Sequence, residues 1–243
     1  MPRTIRLVLM FLALSANILC AQTLKEEAPV NKILDSLHWL GHDSFRLDAS
    51  KTVYFDPWKL LSDSPKADLI LVSHEHYDHF SPEDIKLISS KDTVIVCDKT
   101  VAKQLRGKVS CREIKILAPA DTVEIDGIKV KAVPSYNIGK AFHTKESGKL
   151  GYLVTIDGIT LYHAGDTDFI PEMKGYSCDI ALLPVSGTYV MTADEAAEAA
   201  LAIKPKIAIP MHWGDIVGSV DDAQRFKKLL EGKIEVRILS PAS

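Results

Sequence analysis

The 243-residue chain has few cysteines, no excess of charge of either sign, and no long apolar run beyond its first residues. Its 29 basic and 32 acidic residues give a net charge of −3, which excludes the strongly basic surface typical of nucleic-acid-binding proteins. Of the four cysteines, three lie beyond residue 21, and this odd number argues against a framework of disulfides. The composition is compatible with a neutral or a small anionic ligand. It does not indicate an oligomeric state.

The first residues have the layout of an export signal. Arg3 and Arg6 precede the apolar run 7–14, and a stretch of small residues then ends at Ala21 before polar residues begin. The apolar run is too short to span a bilayer, so we expect no membrane span in the mature chain. We predict a signal peptide over 1–21, a linker over 22–31, one domain over 32–243, and a periplasmic or secreted location. A lipoprotein anchored through Cys20 is the less favoured alternative, because bulky Leu19 precedes that cysteine.

Several segments have the alternation and turn residues of β-hairpins. Residues 37–47 and 52–55 flank a polar turn, and Asp126-Gly127 and Asp157-Gly158 each join two strand-like segments. Such pairs predict antiparallel sheet.

Helices and short apolar strands alternate in the rest of the chain. Ser81 and Thr192 begin sequences of the capping-box type, and residues 222–231 have helical apolar spacing. Buried strands are predicted at 69–72, 179–185, 206–211 and 234–239. Hairpins followed by strand-helix units occur twice, so the sequence predicts an α/β (α+β) fold of two similar halves, with sheets packed together and helices outside.

A cluster of potential metal ligands follows the strand at 69–72. Three of the chain's eight histidines lie here, and His74 and His76 share one side of an extended backbone because side chains alternate with period two. Asp78 and His79 fall where the chain turns into a helix, where they can face a second ion. The spacing predicts a site for one or two divalent metal ions at the end of a strand.

The string H-x-H-x-D-H after a strand resembles the metallo-beta-lactamase fold superfamily. The segments 40–45, 55–57, 162–167 and 210–212 are similar to its branch of ascorbate-6-phosphate lactonase-like, metal-dependent hydrolases. The resemblance implies a four-layer alpha-beta-beta-alpha sandwich and a hydrolase that attacks a small ester, lactone or phosphorylated molecule with metal-activated hydroxide.

The resemblance also implies roles for individual residues. It makes His74 and His76 ligands of a first metal and Asp166 a carboxylate that bridges two metals. The ligands of the second metal would be Asp78, His79 and His212. Zinc is the favoured metal, with manganese or iron as alternatives. Asp56 and His42 would hold the metal-binding side chains in place without binding the metal themselves.

One position departs from the family pattern. Asn137 stands where a third histidine of the first metal is usual, and an amide oxygen is a weak zinc ligand. His143 either supplies the missing nitrogen or faces the substrate and assists the leaving group, whereas Asp78 would orient the nucleophile. Two alternatives follow: a phosphodiesterase of the same fold, or a non-catalytic metal-binding or partner-binding protein with a degraded first site.

Overall fold

The computed structural model of the protein describes residues 29–242. The predicted signal peptide over 1–21, and residues 22–28 of the predicted linker, lie outside the described residues. Residues 29–35 are helical, and they bury Val30 and Ile33 in the core, so the folded domain begins before the predicted boundary at residue 32. Within residues 29–242, no helix combines the length and the apolar character needed to cross a membrane.

The first half of the domain is a six-stranded sheet whose strands lie side by side in chain order. The first three strands are antiparallel, and the third to sixth are parallel. Helices α1 (Pro82–Ile88) and α2 (Lys99–Leu105) connect the last parallel strands. The strands are β1 (Leu37–Gly41), β2 (Ser44–Asp48), β3 (Thr52–Phe55), β4 (Leu69–Leu71), β5 (Val94–Cys97) and β6 (Glu113–Ile116).

The second half repeats this plan in a seven-stranded sheet. Its first four strands are antiparallel and its last four are parallel. Helices α3 (Ala193–Ile203) and α4 (Val220–Leu229) precede the last two strands. The strands are β7 (Thr122–Ile125), β8 (Ile128–Pro134), β9 (Leu150–Ile156), β10 (Ile159–His163), β11 (Ile180–Pro184), β12 (Ile207–Met211) and β13 (Glu235–Val236). The prediction of two similar halves is confirmed.

Alternation along the strands explains the layers. Val53 and Phe55 of β3 belong to a large core shared with the second sheet, whereas Tyr54 between them packs in a separate core with Ile85 and Ile88 of α1. Successive side chains of a strand point to opposite faces, so one face of this sheet meets the other sheet and the opposite face meets helices. The predicted four-layer sandwich is confirmed.

One predicted strand is interrupted. Residues 37–47 form β1 and β2, joined by a tight turn in which Gly41 and His42 have φ of +111° and +50°. Such positive φ values end a strand. The two Asp-Gly hairpins are confirmed: Asp126 and Asp157 have positive φ, as do the glycines that follow them, which is the geometry of type I′ turns.

Candidate metal centre

The predicted site residues lie together at one edge of the two sheets. The loop after β4 carries the cluster predicted from the sequence, Asp166 follows β10, and His212 follows β12. Parallel strands place their carboxyl ends at a common edge, which is where ligands bind in open α/β sheets. The backbone amide of His212 donates to the carbonyl oxygen of His42 at 3.1 Å and so joins the edges of the two sheets.

Asp166 lies between two groups of histidines. Its Oδ2 atom is 3.8 Å from His74 Nε2 and 3.8 Å from His143 Nδ1. Its Oδ1 atom is 3.2 Å from His79 Nε2 and 3.3 Å from His212 Nε2. Each oxygen of one carboxylate thus faces its own pair of imidazoles, which is the arrangement needed to bridge two ions.

Three groups of donor atoms result, each with its atoms within 4.8 Å of one another, and two of these groups share no residue. The first metal site comprises His74, His76, His143 and Asp166. The second metal site comprises Asp78, His79 and His212; His42 groups with all three, and Asp166 groups with His79 and His212. The structure therefore brings together His74, His76, Asp78, His79, Asp166 and His212 as the resemblance implied.

The buried polar atoms of these residues fit a bound metal. His74 Nε2, His79 Nε2, His143 Nδ1 and Asp166 Oδ1 are inaccessible to solvent, and each has no hydrogen-bond partner among the described residues. Buried polar atoms in native proteins nearly always have a partner, because leaving one unpaired costs about 1–3 kcal/mol. Cations coordinated in the two metal sites would satisfy all four atoms.

The opposite ring nitrogens of three histidines are held by polar neighbours. Asp56 Oδ2 lies 2.8 Å from His79 Nδ1, and its two oxygens also accept from the amide and hydroxyl of Ser73 at 2.6 Å each. Because the Ser73 hydroxyl donates to Asp56, it accepts from His74 Nδ1 at 2.8 Å. Ser186 Oγ is 2.9 Å from His212 Nδ1. Each contact directs the Nε2 lone pair toward the site, which is how outer partners orient metal ligands.

The electrostatics favour a cation at this position. Burial lowers the pKa of His74 well below its ordinary value and that of His143 to about 4, so both rings are neutral, as coordination requires. Burial also lowers the pKa of His79, but the carboxylates of Asp166 and Asp56 outweigh it and raise that pKa well above normal. Burial alone would raise the pKa of Asp166, yet His79 and His212 hold it well below its usual range.

His143, rather than Asn137, lies with the histidines of the first metal site. Its Nε2 atom is 3.1 Å from His76 Nδ1, and the residue is buried. The Asn137 amide nitrogen instead donates to the carbonyl oxygen of Tyr189, and the Asn137 backbone amide donates to the carbonyl of His143 at 2.8 Å. Asn137 thereby supports the loop that presents His143. No local motif marks His143 in the sequence.

Two buried residues lie beside the second metal site, and of these only Asp43 extends the predicted set. His42 Nε2 is 3.2 Å from Asp78 Oδ2, so His42 contacts a potential ligand, as its predicted supporting role requires. Asp43 had no predicted role, yet it is fully buried, groups with His79, Asp166 and His212, and has neither carboxylate oxygen hydrogen-bonded among the described residues. Burial raises the pKa of Asp43. The only sequence signal for it is a carboxylate within a largely apolar segment.

A cleft of about 560 Å³ opens onto the two metal sites. Its floor includes His76, Asp78, His143, Asp166 and His212. The other lining residues are Glu75, Tyr77, Phe142, Tyr189, Ile216 and Val217, and Glu75 accepts a hydrogen bond from the buried Lys149 ammonium at 2.8 Å. The metal-binding residues are thus reachable from solvent by a small molecule.

Comparison with known proteins agrees with this geometry. The family model described as "Beta-lactamase superfamily domain" matches residues 36–212. A UPF0173 metal-dependent hydrolase of Thermococcus kodakarensis is 34% identical over 217 residues, covering 84% of this chain and 95% of that protein. One of Thermoplasma acidophilum is 36% identical over 217 residues, covering 84% and 93%.

Solved structures show the same fold. A putative metal-dependent hydrolase from Parabacteroides distasonis superposes with a TM-score of 0.73 at 35% identity, covering 83% of this chain and 91% of that one. Igni18, a metallo hydrolase from Ignicoccus hospitalis, has the same fold, with a TM-score of 0.71 at 24% identity and coverage of 85% and 95%. The chain belongs to the beta-lactamase superfamily, in the family of UPF0173 metal-dependent hydrolases.

Proposed function

We propose that this metal-dependent hydrolase uses two divalent ions, with zinc favoured, to hydrolyse a small ester, lactone or phosphorylated molecule. The observation that carries the proposal is the position of Asp166, whose two carboxylate oxygens face two separate groups of imidazoles. Nitrogen-rich donor sets with carboxylates suit zinc, and manganese or iron are the alternatives.

His74, His76 and His143 would hold one ion, Asp78, His79 and His212 would hold the other, and Asp166 would contact both. When bound, such ions lower the pKa of a coordinated water toward neutrality and polarise the carbonyl or phosphoryl group under attack.

Asp78 has the position to orient the attacking water. Its side chain lines the cleft and is 15% exposed, whereas the other carboxylate of the floor, Asp166, is buried. His42 fixes Asp78 from the buried side through the 3.2 Å contact between Nε2 and Oδ2. A carboxylate held in this way accepts a hydrogen bond from water without rearrangement.

In this proposal His143 is a metal ligand and not the acid that protonates the leaving group. Its Nδ1 atom faces Asp166 and its Nε2 atom faces His76, so neither ring nitrogen is left to protonate a departing alcohol. Burial lowers its pKa to about 4, so the ring is neutral near pH 7 and is not the imidazolium that would act as a general acid. Protonation of the leaving group then falls to water.

A non-catalytic metal-binding protein is the competing hypothesis. It follows from Asn137 only if the first metal site lacks a third nitrogen ligand. With His143 beside His74 and His76, no observation favours this alternative.

The test combines metal analysis with turnover. The purified protein is analysed for bound metal by mass spectrometry, and hydrolysis of p-nitrophenyl acetate, an unsubstituted γ-lactone and bis-p-nitrophenyl phosphate is measured before and after chelation and metal readdition. We expect turnover of at least one substrate that chelation abolishes and readdition restores. His76→Ala is expected to lower both metal content and turnover.

His38→Ala is the matched control, because His38 is a partly exposed histidine paired with Asp48, outside both metal sites. It is expected to retain metal and activity. Bound metal without metal-dependent turnover of any of the three substrates would overturn the proposed function and favour the non-catalytic alternative.

A further inference from the structure

Apart from Glu75, the walls of the cleft are formed by aromatic and aliphatic side chains, although they are exposed to solvent. Tyr77, Phe142, Tyr189 and Ile216 line the cleft with exposures of 66%, 54%, 48% and 40%, and Val217 adds a fifth apolar side chain. Leaving such side chains in water is unfavourable, and exposed apolar surface gathered at one place marks a binding site. The metal-binding residues form the floor, so these walls face the part of a substrate that does not react.

The apolar walls are held in position by contacts within the protein. The ring of Phe142 packs edge-on against that of Tyr189 with centroids 5.1 Å apart, and Asn137 ties the backbone of the Tyr189 loop to the loop that carries Phe142. On the opposite segment, Tyr77 packs edge-on against Trp58 at 6.3 Å. The surface is therefore preformed, as small-molecule sites usually are.

Away from the metal-binding residues, the lining of the cleft among residues 29–242 offers no lysine or arginine to an anionic group of a substrate. Lysines on the neighbouring segments each contact a carboxylate: Lys59 with Asp215 at 2.8 Å, Lys140 with Asp168 at 2.6 Å, and Lys149 with Glu75 at 2.8 Å. A phosphate or carboxylate remote from the reacting bond would lose water here without a charged donor to replace it.

We propose that the substrate is a lactone or carboxylic ester whose non-reacting part is an uncharged hydrocarbon group, seated against Phe142, Tyr189 and Ile216. This inference rests on the proposed function and narrows it, since it excludes the phosphorylated molecule from the three substrate classes. In the reaction, the oxygen of water bonds to the acyl carbon and the acyl carbon–oxygen bond breaks. The leaving oxygen takes one proton and the other is released, which gives a hydroxy acid anion from a lactone, or an acid anion and an alcohol from an ester.

The first test uses metal-loaded protein and a series of γ-lactones whose alkyl side chain lengthens from methyl to octyl. We expect kcat/KM to rise about two- to fourfold for each added methylene until the cleft is filled, as burial of a methylene on an apolar wall predicts. A lactone with a phosphate at the end of the same chain is expected to react at least about tenfold more slowly than its uncharged counterpart, because the phosphate finds no cation.

The second test locates the effect in the cleft. Phe142→Ala and Ile216→Ala are expected to lower the ratio of kcat/KM for the octyl lactone over the methyl lactone by about tenfold, mainly through KM for the octyl compound. Leu201→Ala is the matched control, because Leu201 is 38% exposed on α3, close to the 40% of Ile216, and lies outside the cleft. It is expected to leave the ratio unchanged.

The outcomes separate the two proposals. A kcat/KM that stays constant or falls as the alkyl chain lengthens overturns this inference, as does a higher kcat/KM for the phosphorylated lactone. Neither result contradicts the proposed function. An unchanged ratio of kcat/KM for the octyl over the methyl lactone in Phe142→Ala and Ile216→Ala also overturns this inference, because the alkyl chain would then not bind against these side chains. Absence of metal-dependent turnover of every lactone, ester and phosphodiester overturns the proposed function, and this inference with it.

Discussion

His143→Ala tests which side chain completes the first metal site. The first site comprises three imidazoles and one oxygen of Asp166, and this substitution removes one of the four donors. Loss of a residue that merely orients a ligand weakens metal binding about 10- to 100-fold. Removal of a donor itself is expected to exceed about 100-fold, or about 2.7 kcal/mol of binding free energy.

The second metal site should survive this change. His79 and His212 face the Oδ1 atom of Asp166, whereas His143 faces Oδ2, so the two sites share a residue but not an oxygen. We therefore expect His143→Ala to retain one ion per chain under conditions in which the unmodified protein retains two. Metal content after dialysis is measured by mass spectrometry, and the affinity of each site by competition with a chromophoric chelator.

Asn137→Ala is the matched variant in the same loop. It removes the hydrogen bond from the side-chain amide to the carbonyl of Tyr189, which is expected to cost about 0.5–1.5 kcal/mol of stability, while both metals are retained. Circular dichroism establishes that each variant is folded before metal is counted. If Asn137→Ala loses one ion and His143→Ala keeps two, Asn137 is the ligand and the assignment from geometry is wrong.

Three further substitutions test the rest of the site. Asp166→Asn is expected to weaken both metal sites together, because both carboxylate oxygens face imidazoles; loss of only one ion in chelator competition would contradict a bridging role. Asp56→Asn is expected to weaken the second site about 10- to 100-fold by releasing Nδ1 of His79, and unchanged affinity would show that Asp56 does not orient this ligand. Gly165→Ala is expected to lower the free energy of unfolding by about 1–3 kcal/mol, measured by urea titration. The reason is that Gly165 has φ of +61° and an added Cβ would lie 3.0 Å from the carbonyl oxygen of Leu150. Gly175→Ala is the control, because a Cβ there meets nothing within 4 Å, and it is expected to leave the free energy of unfolding nearly unchanged.

Local patterns account for what the sequence predicted well. The Asp-Gly turns require positive φ at two successive residues, so their hairpins are specified within a few residues. Thr192 forms the expected capping box with Glu195, and Ser81 caps α1 by accepting from the amide of Asp84. The cluster from His74 to His79 was recognisable because its members are adjacent along the chain.

The positions of His143 and Asp43 depend on contacts between distant parts of the chain, so the sequence did not predict them. His143 reaches the first metal site because Asn137 supports its loop, and the hydrogen bond from Asn137 to Tyr189 joins residues 52 positions apart in the chain. Asp43 reaches the second site because the turn at Gly41 and His42 divides a segment that alternates like one continuous strand. Neither the turn nor the loop contact has a local sequence signature.

The backbone conformation at the site is not predicted by the local sequence pattern. His42, Asp56, His143 and His212 have φ between +43° and +59°, a left-handed conformation that costs roughly 1–2 kcal/mol for residues other than glycine. Contacts across the site oppose this cost: the amide of His212 donates to the carbonyl of His42, and Asp56 accepts from Ser73 and contacts His79. Because strained backbone persists only where surrounding structure fixes it, its occurrence at three potential ligands and at the carboxylate that contacts His79 indicates that long-range contacts contribute to the conformation at this edge of the sheets.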